Sequence, residues 1–145
     1  MADNGALPLA VGYRVQFGKT VTEEDVVAFA QVTGDEQPLH LDPDFGKRTR
    51  FGKRIAHGML SAGYISAAIG TKLAPGWVVV YLSQQLRFRM PVAIGDTITA
   101  RVEVTALDEE KRVATLRTDC VNQDGAVVVQ GEATVLLDPL RAGRG

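Results

Sequence analysis

"HGMLSAGYISAAIGTKL", residues 57–73, decides how the rest of the chain must be arranged. Met59, Leu60, Ala62, Ile65, Ala67, Ala68 and Ile69 put small or apolar side chains nearly all round a helix. A helix without a polar face is normally buried. As one continuous helix the stretch would be roughly 25 Å long, enough to cross a domain, before "APG" (74–76) ends it. Such a helix needs an extended surface to cover it.

That surface follows directly. "WVVVYLSQQLRFRM" (77–90), "DTITARVEVTAL" (96–107), "RVATLRTDCVNQ" (112–123) and "AVVVQGEATVLL" (126–137) are long and rich in β-branched residues. The first three are followed by turn chemistry, "PVAIGD", "DEEK" and "QDG". The spacing predicts an antiparallel meander. Strands of about twelve residues must curve strongly or wrap something. One buried helix held in the concave face of a long antiparallel sheet is an α+β architecture.

Upstream, "YRVQF" (13–17) reads as a short strand and "TVTEEDVVAFAQVTG" (20–34) as a helix. Thr22 can cap the helix, Glu23, Glu24 and Asp25 suit its positive end, and Gly34 supplies the stop. Val26, Phe29, Ala30 and Val32 fall within one apolar arc. Residues 1–10 and 139–145 read as loose ends around a core of about 13–138 in a single domain, 1–145.

Between the two helices lies "TGDEQPLHLDPDF" (33–45), too polar for core and too apolar for a linker. Gly34 leaves the first helix and Pro38 forbids continuing it, so Asp35 and His40 can converge across a tight loop. A carboxylate beside an imidazole is an acid/base pair. By itself the spacing more often marks a helix-ending Asp that makes loop hydrogen bonds and a histidine that satisfies backbone groups. At the start of the apolar helix, Gly58 offers an N–H with no intrahelical partner and no side chain to keep a ligand oxygen away. Packing alone would also explain that glycine, and His57 beside it reads as a substitute cap or a packing residue. Lys47, Arg48, Arg50, Lys53 and Arg54 form a basic loop, a solvated surface unless a phosphate-bearing ligand uses it. Arg87 and Arg89, on one face of a strand, would extend that patch.

The totals exclude other classes. Sixteen basic and seventeen acidic residues give a net charge of −1, no reason to expect nucleic acid or an anionic membrane as partner. The single Cys120 cannot form an intramolecular disulfide and sits in a strand-like run, as a buried inert thiol would. No signal-peptide pattern, membrane-length apolar run, P-loop, dinucleotide fingerprint or zinc spacing occurs. "HLD" (40–42) offers two metal ligands without an obvious third. The expectation is a cytoplasmic protein with no metal and no cofactor.

Three stretches at compatible spacing carry a resemblance. "VTEEDVVAFAQVTGDEQPLHLDPDFG" (21–46) is similar to a helix followed by Gly-Asp-x-Asn-Pro-Leu-His-x-Asp. "FGKRIAHGML" (51–60) is similar to Ile-x-His-Gly-Met, and "LRFRMPVAIGDTI" (86–98) to Phe-x-x-Pro-Val-x-x-Gly-Asp. The chain resembles the MaoC-like (R)-specific enoyl-CoA hydratases, or hydratase 2, over about residues 13–138. The resemblance implies the hot-dog fold, a homodimer and an acyl-CoA thioester substrate without a cofactor. By position it implies Asp35 and His40 as the catalytic pair and Gly58 as the N–H that binds the thioester oxygen. It places Ser66 near the catalytic water, and His57 and Gln37 near the substrate. Lys53, Arg54, Arg87 and Arg89 are then candidates for CoA phosphates. Gln37 departs from the family's Asn by one methylene, so a hydrogen bond that orients the loop would be expected to shift. A dehydratase acting on acyl-carrier-protein substrates, and a non-catalytic acyl-binding subunit, remain the alternatives.

Overall fold

Three apolar runs become strands that bury every second residue. In the computed structural model, which describes residues 6–142, β1 is Arg14–Thr20, β2 Trp77–Phe88, β3 Thr97–Asp108, β4 Val113–Val121 and β5 Val127–Pro139. Ile98, Ala100, Val102 and Val104 of β3 are buried, as are Ala114, Leu116, Thr118 and Cys120 of β4 and Ala133, Val135 and Leu137 of β5. This period of two lines one face of the sheet with apolar groups. Register shifts interrupt the pairing at Tyr81/Ser83, Val104/Ala106 and Cys120/Val121. Such bulges bend a strand and increase its twist, which lets strands of twelve and thirteen residues curl around a helix.

The helices are α1 (Glu23–Thr33), the short α2 (Pro38–Leu41) and α3 (Pro43–Lys47), and the central α4 (Gly58–Ala68). Thr22 caps α1 in a reciprocal capping box with Asp25, and Gly34 ends it at φ +83°. Ser61, Tyr64, Ile65 and Ala68 form the buried side of α4 and face the sheet core. The result is the α+β hot-dog arrangement, a helix lying in the hollow of one curved antiparallel sheet.

Several expectations are corrected. The sheet order is β1-β3-β4-β5-β2, so β2 pairs with β5 at an edge and is not the first strand of a four-strand meander. "PVAIGD" is therefore a crossing connection, not a hairpin. It is held by the Ile55–Ala93 bridge and by a Gly95 N–H to Val21 C=O bond of 2.7 Å. The apolar stretch 57–73 is not one α-helix, because Ile69–Leu73 continues α4 as a π-helical turn. The side of α4 away from the sheet is uncovered in one chain, with Met59 57% exposed and Gly63, Ser66 and Gly70 also open. Val32, expected on the apolar arc of α1, is 83% exposed: among the described residues nothing covers it. Of the expected loose ends, residues 1–5 and 143–145 lie outside the described residues, but Leu9 packs into the core and β5 runs to Pro139.

Candidate active site

Gly34 lets the chain turn out of α1, and the next residues close on themselves through main-chain bonds. The Asp35 carboxylate accepts the Gln37 N–H at 3.4 Å, and the His40 N–H donates to the Gln37 carbonyl at 3.0 Å. Pro38 opens α2 at a position where its missing N–H costs nothing. That single turn delivers His40 inward, where it is 7% exposed. The loop is organised through the main chain of residue 37, so the longer Gln side chain, itself exposed, leaves these bonds in place.

His40 Nδ1 lies 2.7 Å from the Ile55 carbonyl oxygen. A carbonyl only accepts, so Nδ1 carries the hydrogen and Nε2 is the nitrogen left for chemistry. His57 Nε2 lies 2.9 Å from the Asp35 carbonyl oxygen and is likewise the protonated nitrogen of its ring. The two imidazoles stack with centroids 3.9 Å apart at 27°, and Phe29 packs on His57 at 4.7 Å. His57 is 2% exposed. It therefore sits behind the Asp35–His40 pair, between that pair and the core.

One donor atom from each of Asp35, His40 and His57 lies within 4.8 Å of the others. His57 is the third candidate ligand that "HLD" lacked. Its geometry suits a metal poorly, however. Bonding through imidazole needs an in-plane lone pair about 2.0–2.1 Å from the ion. Two nearly parallel stacked rings aim their lone pairs side by side instead of at one point.

Two clefts, each about 570 Å³, share Met59 as a wall; Asp35 lines the second, and His40 lines neither. The first is lined by Arg50, Phe51, Gly58, Phe88 and Arg89 among others. The second holds Phe29, Asp35, Ala62, Ser66, Tyr81 and Gln84. Gly58 is the first residue of α4, where the N–H groups lack intrahelical partners and the helix dipole is positive. A Cβ on Gly58 would stand 2.8 Å from the Phe88 ring, so the glycine is required for this approach.

Ser66 lies on the open face of α4 in the cleft that holds Asp35, not inside a buried helix as the sequence suggested. The basic candidates divide. Arg54 is committed: its guanidinium grips both carboxylate oxygens of Glu23 and donates to the Leu41 carbonyl at 3.2 Å, with its side chain 17% exposed. The Glu23 bond raises the Arg54 pKa further, which leaves this group a structural clamp. Lys53 lines a separate depression with Pro43 and Ile94, and Arg87 lies outside the two site clefts. Arg89 does line the first cleft, beside Arg50, which the sequence had not singled out from its loop. Phe88 belongs to the Phe-x-x-Pro-Val-x-x-Gly-Asp stretch of the resemblance but was not singled out as a site residue. Tyr81 and Gln84 carried no sequence signal, since an aromatic or an amide in a strand is ordinary. Cys120 is buried and its thiol is pushed up to about 12 by burial and by the neighbouring Asp119 charge, so it is no nucleophile.

Residues 9–124 match the family model for the MaoC like domain. This chain belongs to the MaoC-like family. The MaoC-like chain is 48% identical over 126 residues to the (R)-specific enoyl-CoA hydratase of Rhodospirillum rubrum, covering 87% of this chain and 86% of that protein. It is 50% identical over 127 residues to the 3-hydroxybutyryl-CoA dehydratase of Methylorubrum extorquens, covering 88% and 80%. Among solved structures, the (R)-hydratase of Aeromonas caviae superposes with a TM-score of 0.85 at 45% identity, over 90% of this MaoC-like chain and 98% of that one.

Proposed function

We propose that this protein adds water across the double bond of a trans-2-enoyl-CoA to give the (R)-3-hydroxyacyl-CoA, and catalyses the reverse dehydration. The observation that carries the mechanism is the approach of the Asp35 and His40 donor atoms within 4.8 Å, a span one water can bridge, beside the N-terminus of α4. The water oxygen bonds C3 while one of its protons passes to Asp35. C2 receives a proton delivered through His40 Nε2, and proton exchange through the next water resets the pair. The Gly58 N–H and the helix dipole stabilise the thioester oxygen as it gains enolate charge. Positioned proton transfer supplies about 10²–10⁴-fold and an oxyanion donor about 10²–10³-fold. The thioester activates the alkene, so the scheme uses no cofactor.

The acyl chain runs into the cleft of Asp35 and Ser66, and the carrier leaves past Gly58 toward Arg50 and Arg89, which face the CoA phosphates. The uncovered side of α4 and the edge strand β2 are closed by a second copy in a homodimer. Exposed Val78, Val80, Tyr81 and Leu82 on that edge support the reading, because a free apolar edge strand invites pairing. None of the helices among the described residues is long and apolar enough to cross a membrane.

The test is loss of enoyl-thioester absorbance with crotonyl-CoA, followed by chiral analysis of the product. Asp35→Asn and His40→Ala should each lower kcat by about two or more orders of magnitude. A wild-type protein that leaves the thioester untouched would refute the activity, and undiminished kcat in both variants would refute the pair.

A further inference from the structure

We propose that His57 is a positioning residue that sets the separation of Asp35 and His40 without touching substrate, an inference resting on the hydratase reading above. Asp35 occupies an exposed loop whose other bonds are local: to Thr33 Oγ at 3.2 Å through its N–H, and to the Gln37 N–H through its carboxylate. The bond from His57 Nε2–H to the Asp35 carbonyl spans 22 residues and ties this loop to the start of the core helix. The same ring stacks on His40. One side chain thus fixes both members of the pair, one through a directed hydrogen bond and the other through a face.

The residues around His57 extend this role. The Ile55 carbonyl takes the His40 Nδ1–H, and the Ala56 N–H bonds the Val92 carbonyl at 2.7 Å. The His57 ring holds Asp35, and Gly58 begins α4. Four consecutive residues therefore space the base, the imidazole and the oxyanion donor.

Helix stability does not account for the choice of residue. His57 is the N-cap of α4 and makes no side-chain capping bond, where Ser, Thr, Asp or Asn would cap the helix and stabilise it. Its Nδ1 is also buried with no partner among the described residues. A buried imidazole that neither caps nor satisfies both nitrogens is explained by what it holds. Misplacement of reacting groups by 1 Å costs about 10²-fold, and that is the effect its removal should show.

His57→Gln keeps an N–H donor at nearly the reach of Nε2 and loses the ring. His57→Phe keeps the ring and loses the donor. With crotonyl-CoA, His57→Phe should lower kcat by about 10²-fold while KM changes little, and His57→Gln should recover much of that loss. The pH profile of kcat in the Phe variant should change shape, not only height, because the altered spacing changes the coupling of Asp35 and His40. Wild-type kcat in His57→Phe, or equal losses in both variants with an unchanged pH profile, would overturn the proposal in favour of packing. Each fold is checked by circular dichroism. Should the Phe variant not fold, His57→Asn, whose amide is too short to reach Asp35, decides against His57→Gln on the same criteria. Wild-type hydration in the same assay separates failure of this inference from failure of the hydratase reading.

Discussion

Asp35 is exposed and His40 is buried, and the difference suits their roles in the proposed hydration: one meets incoming water, the other is held by a main-chain carbonyl. The loop that joins them uses the main chain of residue 37, so its side chain is free to vary. Gln37→Asn, which restores the family's residue, should leave kcat within about twofold, as for a surface substitution away from packed groups. A large gain in kcat on steady-state assay would show that the amide itself reaches the dyad. The resemblance supplied the positions of Asp35, His40 and Gly58, and spacing around Pro38 made the convergence of Asp35 and His40 legible. The commitment of Arg54 to Glu23 was not legible, because its partner lies 31 residues upstream and a basic loop looks the same whether its guanidinium groups are paired or free.

At the scale of elements, that Arg54–Glu23 clamp joins the first turn of α1 to the segment leading into α4. The hydrogen bond from Arg54 holds the Glu23 carboxyl below its ordinary value of 4.5. A carboxylate whose folded pKa is lowered contributes stability that is present above the unfolded value and is lost as the pH falls through the folded one. Glu23→Gln should therefore lower the melting temperature near neutral pH, and the gap from wild type should close in acid. Glu23 is 49% exposed at its side chain, so screening limits the effect to less than about 1 kcal/mol. Melting curves from about pH 3 to about pH 7 check this, and a gap that widened in acid would refute the assignment. The helix caps and the strand periods were read correctly in outline because they depend on neighbours three or four residues away. The π-helical turn at Ile69–Leu73 was missed, since its composition suits an α-helix equally well.

For the whole molecule, the controlling fact is that α4 has no polar face and only Ser61, Tyr64, Ile65 and Ala68 of it are buried. The homodimer reading predicts that Val80→Lys combined with Leu82→Lys yields a monomer with little hydratase activity. Lysine on a sheet edge blocks pairing by placing charge where an apolar partner would dock. Light scattering coupled to size exclusion reads the mass directly. A wild-type monomer, or a double variant that stays dimeric and active, would count against this edge as the interface.

Composition, periodicity and turn chemistry determined the α+β class, the capped helix α1, four long strands and an apolar helix, because each depends on the order of residues along the chain. Tertiary structure decided which strands are neighbours, placing β2 beside β5 and leaving it at an edge. It also decided that Arg54 is a clamp, that Ser66 faces a cleft, and that His57 stands behind both dyad residues. The physical reason is common to all of these. A local pattern states which side chains share a face, whereas the partner of that face is chosen by packing between segments far apart in the chain.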